Sequence, residues 1–158
     1  MRTKKATIRP VEKDVKYGST LVQRLINRSM RDGKKSVAQK QVYAALEIVS
    51  KQTKRKPVEV LEEALEKIKP KMEVRTRRVG GASYQVPMPV RDLRARSLSV
   101  RWLINEANKR ANKQFHTFAE KLAAEILDAL TEQGGAIEKR NTSHRMAEAN
   151  KAFSHFRW

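Results

Sequence analysis

The stretch Val74-Arg75-Thr76-Arg77-Arg78-Val79-Gly80-Gly81-Ala82-Ser83-Tyr84-Gln85-Val86-Pro87 divides the chain into two helical halves. From Met72 to Val90 the residues suit two strands around a Gly80-Gly81 turn. Tyr84, Val86, Met88 and Val90 alternate with Gln85, Pro87 and Pro89. The two prolines share parity, so they block the same edge and leave the other to pair. The expected product is a two-stranded ribbon at about 72–90 with a protected outer edge, not the middle of a larger sheet. Arg75 and Arg77 fall on one face and Arg78 on the other. Basic side chains on both faces of a thin ribbon serve no core; they suit a ribbon that reaches between nucleic-acid strands. Tyr84 has the ring to stack on a base, although a contact between the ribbon root and a helix is the preferred reading.

Upstream of the ribbon, three helices are expected. The first begins near Gly18-Ser19-Thr20, which offers N-caps. Leu21, Val22, Leu25, Ile26 and Met30 share one half of it, and Arg24, Arg28 and Arg31 lie on the other. Asp32-Gly33 stops it, and Lys34-Lys35 follow. The second runs from about Ser36 to Lys51, with Val37, Tyr43, Leu46 and Val49 as core contacts. The third starts at Pro57, a residue suited to a first helical position, and ends near Lys69. Its Glu59, Glu62, Glu63 and Glu66 make it locally acidic. Val58, Leu61, Leu65 and Ile68 turn inward, so the acidic side faces water, away from a polyanion.

Downstream, a fourth helix is expected from about Asp92 to Asn112. Val100, Leu103, Ile104, Ala107 and Ala111 form a docking face, and Arg91, Arg94, Arg101, Asn105 and Asn108 form an adjacent polar stripe. A fifth spans about Thr117 to Thr131, with Leu122, Ile126 and Leu130 inward, and Gly134-Gly135 breaks it. A sixth, from about Asn141, carries Met146, Ala149 and Phe153 toward the aromatic end at Phe156 and Trp158. No internal repeat or low-complexity segment occurs.

Charge names the kind of partner. The 158 residues hold 35 Lys and Arg against 17 Asp and Glu, a net charge of +18. That self-repulsion is relieved by a polyanion, with nucleic acid first and an anionic membrane second. Residues 1–16, with Arg2, Lys4, Lys5 and Arg9, read as a basic arm that orders on its ligand. Residues 17–158 read as one helical domain carrying the ribbon. Cysteine is absent, which excludes disulfides, thiolate chemistry and Cys-ligated zinc. No apolar run reaches the ~20 residues of a membrane span. Met1-Arg2-Thr3-Lys4-Lys5 leads into no secretory signal. A cytoplasmic protein that does not act on a membrane is expected.

Catalytic signatures are missing. Gly80-Gly81 belongs to no nucleotide-binding fingerprint. His116, His144 and His155 lack metal-ligand spacing and read as polar surface or RNA contacts. No nucleophile, base and orienter assemble, so neither an enzyme nor a cofactor is expected. The arginine-rich elements remain, because a guanidinium fork can donate two hydrogen bonds to one phosphate.

Six blocks carry a resemblance. Tyr17-Gly18, Asp32-Gly33-Lys34-Lys35, Arg77-Arg78-Val79-Gly80-Gly81-Ala82, Tyr84-Gln85-Val86-Pro87, Arg101-Trp102-Leu103 and Arg145-Met146-Ala147-Glu148-Ala149-Asn150-Lys151-Ala152-Phe153 stand in the order and spacing of the bacterial-type small-subunit ribosomal protein seven family. The chain resembles that family from about residue 8 to Trp158. The resemblance implies a bundle of about six helices with a protruding two-stranded β-hairpin. It implies binding to the 3′ major domain of small-subunit ribosomal RNA and nucleation of head assembly. By the same resemblance Arg78, Gly80, Gly81, Ser83 and Tyr84 face exit-site tRNA and the mRNA path, with ribosomal proteins nine and eleven as neighbours. The N-terminal arm is less Arg-dense than in many relatives. The sequence ends at Trp158 where some relatives continue, so no contribution from a longer tail is expected. The competing reading is an architectural DNA-binding protein with a β-ribbon arm, although Gly-Gly-Ala-Ser at the tip offers no apolar wedge. An RNA-modifying enzyme is a third and weaker reading.

Overall fold

A computed structural model describes residues 9–156. The element order is α1 (Thr20–Ser29), α2 (Lys35–Thr53), α3 (Pro57–Ile68), β1 (Met72–Val79), β2 (Ala82–Pro89), α4 (Asp92–Lys109), α5 (Phe118–Leu130) and α6 (Gly135–Ala149), followed by a 3-10 helix, Lys151–Phe156. The chain is mainly α, with one two-stranded sheet among the described residues.

Local chemistry explains most boundaries. Ser19 Oγ accepts from Leu21 N at 3.2 Å and caps α1. Gly33, at φ 74°, provides the left-handed turn that leads into α2. Pro57 occupies the first turn of α3. Thr117 and Glu120 close a reciprocal capping box on α5. The ribbon pairs Met72 with Pro89 through Val79 with Ala82. Gly80 and Gly81, at φ 58° and 88°, form the two-residue turn that requires positive φ at both positions. Val90 N donates to Lys71 O at 3.0 Å. Counting from that bond, Pro87 and Pro89 fall at non-hydrogen-bonded positions. Their missing N–H groups therefore lie on the outer edge, as their parity predicts.

The core is built around α5, which packs against α2, α3, α4 and α6. Leu25, Ile26, Leu46, Leu61, Ile68, Leu103, Leu122 and Ile126 are fully buried. Small side chains let the helices approach closely: Ala38, Ala45, Ala64, Ala107, Ala119, Ala123 and Ala129 are all buried. This corrects the expected core. In α2 the buried face runs through Ala38, Val42, Ala45, Leu46 and Val49, leaving Val37 54% exposed. In α6 Ala147 is buried, while Ala149 is exposed and Met146 is 55% exposed.

Three helix boundaries also differ, the last two for a long-range reason. α1 ends at Ser29, so Arg31 lies in the loop rather than on the helix. α4 ends at Lys109, and Ala111 is exposed beyond it. Arg110 leaves helical dihedrals, and its guanidinium reaches Glu125 Oε2 at 2.6 Å, pairs with Asp128 and lies over the Phe115 ring. α6 starts at Gly135, not near Asn141, so only Gly134 breaks the chain, at φ 90°. The start of α6 takes its acceptor from another helix: Ala136 N donates to buried Glu125 Oε1 at 2.8 Å. A Cβ on Gly135 would lie 3.0 Å from Glu106 Oε2 on α4, so glycine permits that close approach.

The ribbon root is docked on α6. Ser143 Oγ donates to Met72 O at 3.0 Å, and Lys71 N donates to His144 Nε2 at 2.9 Å. The 3-10 helix then packs on β2. At the other end of the chain Asp14, inside the stretch read as an arm, is buried. Its carboxylate accepts from Lys16 N, Tyr17 N and Tyr43 Oη, which fastens the start of the body to α2.

Candidate nucleic-acid interface

Two groups of cations stand out in the body, besides others such as Lys51, Lys54, Lys113, Lys139 and Arg145. One group is neutralised internally. Around α3, Arg55 pairs with Glu63, Lys56 with Glu59, Lys67 with Glu63 and Lys69 with Glu66. The Arg55 hydrogen bond holds the Glu63 carboxyl below the usual range against a smaller opposing effect of burial. The second group is Arg24, Arg28, Arg31, Lys34, Lys35, Arg91 and Arg101, none of which has an acidic partner among the described residues.

Packing places most of this second group along α4. α1 lies against α4, and a groove of about 520 Å³ between them is lined by Arg24, Asn27, Arg28, Leu93, Arg96 and Ser97. Further along, a second groove of about 360 Å³ brings Arg31 and Lys34 of the α1–α2 loop beside Asn108 at the end of α4. Between these grooves the α4 stripe is open: Arg94, Arg101, Asn105 and Asn108 are all exposed. Arg91 caps α4 from outside the helix and is exposed as well. Two stripes far apart in sequence thus border one face. Phosphates suit such a face, since each fork donates to one phosphate and the helix sets the spacing between forks.

Two further participants carry little signature in the sequence. Arg96 lines the first groove and is held by Asp92 Oδ2 at 2.9 Å. Glu73 read as an ordinary strand position but is only 7% exposed. Its oxygens each accept one guanidinium Nε, from Arg75 and from Arg94, both at 2.6 Å. Burial pushes this carboxyl up, but the hydrogen bonds from Arg94 and Arg75 outweigh it and hold the carboxyl below the usual range. Arg94 is therefore also a brace between α4 and the ribbon. The only sequence signal was an acid among the arginines of β1.

The ribbon divides into a covered part and a projecting part. Arg75 and Arg77 share a face, opposite Val86 and Tyr84, and Arg78 takes the other face opposite Ser83. The Tyr84 ring lies 5.4 Å from Phe153 and 5.0 Å from Phe156, so it forms a contact with the 3-10 helix. Beyond it project Arg78, Gly80, Gly81 and Ser83, all exposed. Glu73 to Val79 amounts to about 20 Å of strand. In the N-terminal arm Arg9 is exposed, while Arg2, Lys4 and Lys5 lie outside the described residues.

The histidines hold separate local positions. His144 accepts from Lys71 N, and burial together with the charges of Arg140 and Lys71 holds its pKa below the usual value. His116 N donates to Glu120, and the His155 ring lies on Phe156. Among the described residues no cluster of three or more His, Cys, Asp or Glu could hold a metal, and no helix is long and apolar enough to cross a membrane.

Comparison with known proteins agrees with this basic helical body. The family described as ribosomal protein S7p/S5e matches residues 1–151. The small ribosomal subunit protein uS7 of Xanthobacter autotrophicus is 54% identical over 157 residues, covering 99% of each chain. The uS7 of Rhodobacter capsulatus is 53% identical over 150 residues, 95% of this chain and 94% of that protein. The uS7 of Sulfurovum is 50% identical over 158 residues, all of both chains. A helical body with a projecting ribbon, matched over nearly its whole length at this identity, belongs to the ribosomal protein S7p/S5e family.

Proposed function

We propose that this protein is a structural ribosomal RNA-binding protein of the small subunit, that it holds the 3′ major domain of the RNA and nucleates head assembly. The observation that carries the RNA-binding reading is the segregation of charge. Arg55, Lys56, Lys67 and Lys69 around α3 have acidic partners, while Arg24, Arg28, Arg31, Lys34 and Arg101 along the α1–α4 face have none among the described residues, and Arg94 and Arg96 there are held by Glu73 and Asp92. The names of the relatives support the small subunit as the setting. The projecting tip at Arg78–Ser83 faces exit-site tRNA and the mRNA path, and proteins nine and eleven are the protein neighbours; family resemblance supports both. The test is filter binding to separate transcripts of the small-subunit RNA domains, with duplex DNA as competitor. The 3′ major domain should bind tightly and resist the competitor. Equal affinity for every transcript and for DNA would overturn the reading.

A further inference from the structure

We propose that the junction of β1, α4 and α6 is a site for one unpaired RNA nucleotide, with Arg75 and Arg94 clamping its phosphate, Glu73 positioning both guanidinium groups, and the cleft beside Trp102 and Met146 taking its base. The proposal rests on the RNA-binding reading above and names the ligand of one part of that surface.

The clamp follows from which atoms are used. Glu73 takes only the Nε of each arginine. A guanidinium carries five N–H donors, so each keeps its terminal nitrogens for a ligand. Both arginine side chains are about half exposed, at 52% and 51%, while the Glu73 side chain is 9% exposed. The buried carboxylate thus holds two outward-facing forks, one from a strand and one from a helix, at a fixed separation. Two positive charges and one negative leave a net charge of +1, which one phosphodiester neutralises. Preorganised forks lose less freedom on binding than free side chains.

The base site follows from what surrounds Glu73. The same side chain lines a cleft of about 270 Å³ with Val74, Leu98, Trp102 and Met146. This lies just below the usual range of ligand pockets and suits one planar ring system. Met146 is 55% exposed, although the surrounding surface is basic and Arg101 is the neighbour of Trp102 in sequence. The hydroxyls in the lining are occupied: Thr142 Oγ1 donates to Glu138 O and Ser143 Oγ to Met72 O. The lining adds an aromatic ring, a thioether and one flexible point-charge donor, the Lys139 ammonium, which favour stacking without sequence selection. The cationic rim favours a nucleotide over an apolar protein side chain.

The test uses the full chain with Trp158→Phe, which leaves Trp102 as the only tryptophan. Its fluorescence is titrated with a short oligoadenylate and with an abasic oligomer of equal length. Oligoadenylate should quench Trp102 and bind about tenfold tighter than the abasic strand. Met146→Glu, at an exposed position, should remove that preference and leave the thermal midpoint unchanged. Arg75→Lys with Arg94→Lys keeps both charges but removes the forks. It should weaken both oligomers at an unchanged salt slope, because the charge is kept, whereas Arg75→Gln with Arg94→Gln should weaken them further and shrink the slope by about one unit, which a purely structural brace would not do. Equal binding of the two oligomers overturns the base site, and full affinity in the lysine variant or an unchanged salt slope in the glutamine variant overturns the clamp. Normal oligomer binding by Met146→Glu, with failed entry into small subunits, also overturns the base site and assigns the cleft to a protein. If the variants bind the 3′ major domain at full affinity, the nucleotide site fails alone. If the unmodified protein binds no domain selectively, the parent reading fails.

Discussion

Arg94 and Arg101 stand two helical turns apart on one face of α4 but do different work. Arg94 is tied to buried Glu73, so reversing its charge would place a carboxylate beside another carboxylate and disturb the ribbon root. Arg101 has no acidic partner among the described residues and tests the interface cleanly. Arg101→Gln should weaken 3′ major domain binding and reduce the salt slope by about one unit. Glu59→Gln on α3 should do neither. An unchanged slope in Arg101→Gln with intact circular dichroism would remove that residue from the site. Glu125 is the complementary case, a buried charge that serves the fold. It accepts from Arg110 Nε at 2.8 Å and from Ala136 N at 2.8 Å, joining α4, α5 and α6. Glu125→Ala should cost about 3 kcal/mol in urea unfolding, because removing one partner leaves the other polar groups buried without their acceptor. A loss below about 1 kcal/mol would show that solvent satisfies those groups.

The ribbon is a composite element, docked at its root and projecting at its tip. Its root includes a titratable acceptor, since neutral His144 receives Lys71 N and loses that role when protonated. Its pKa is lowered from 6.5 in the folded protein. The folded state therefore binds fewer protons than the unfolded chain. The contribution is fully present above about pH 6.5 and is lost as pH falls toward the native value. Amide exchange at Lys71, corrected for intrinsic rates, should lose protection over that descent. His144→Gln keeps an acceptor without titrating, so its protection should stay level; parallel loss in both proteins would exclude the histidine as cause. The tip is separable. Arg77 and Tyr84 form a pair of the same type as Val79 and Ala82, because the two pairs are two residues apart in register. Replacing Arg78–Ser83 by Asn-Gly should therefore close a regular turn and spare the core. The shortened protein should enter small subunits at near-normal levels by quantitative mass spectrometry, and those subunits should retain less exit-site tRNA. Collapse of incorporation, with the isolated variant still folded, would make the tip an anchor for ribosomal RNA.

For the whole molecule, the dominant quantity is the charge of +18. Local pairing around α3 and buried pairing at Glu125 do not remove the long-range repulsion among the remaining cations. Repulsion across the molecule is screened at a Debye length of about 8 Å at physiological salt. The melting temperature of the free protein should thus rise from low salt to about 0.15 M. A saturating 3′ major domain transcript should raise it further, because a ligand bound only to the native state stabilises by mass action. A melting temperature that falls with salt would show that the surface ion pairs outweigh the repulsion.

Short-range chemistry was legible in the residues. Strand alternation, the Gly80-Gly81 turn, Pro57 and the Ser19 cap depend on contacts within a few positions, so they predicted the ribbon and the starts of α1 and α3. The exposed α4 stripe was legible for the same reason, as helical periodicity places Arg94, Arg101, Asn105 and Asn108 together. Tertiary structure decided what those elements face. The adjacency of α1 and α4 brings Arg24 and Arg28 to Arg96. Glu73 reaches Arg94 across 21 positions, and α6 begins at Gly135 because Glu125 of another helix supplies its acceptor. No local pattern encodes these contacts. Their partners lie on separate elements, and only packing of the shared core brings them within hydrogen-bonding distance.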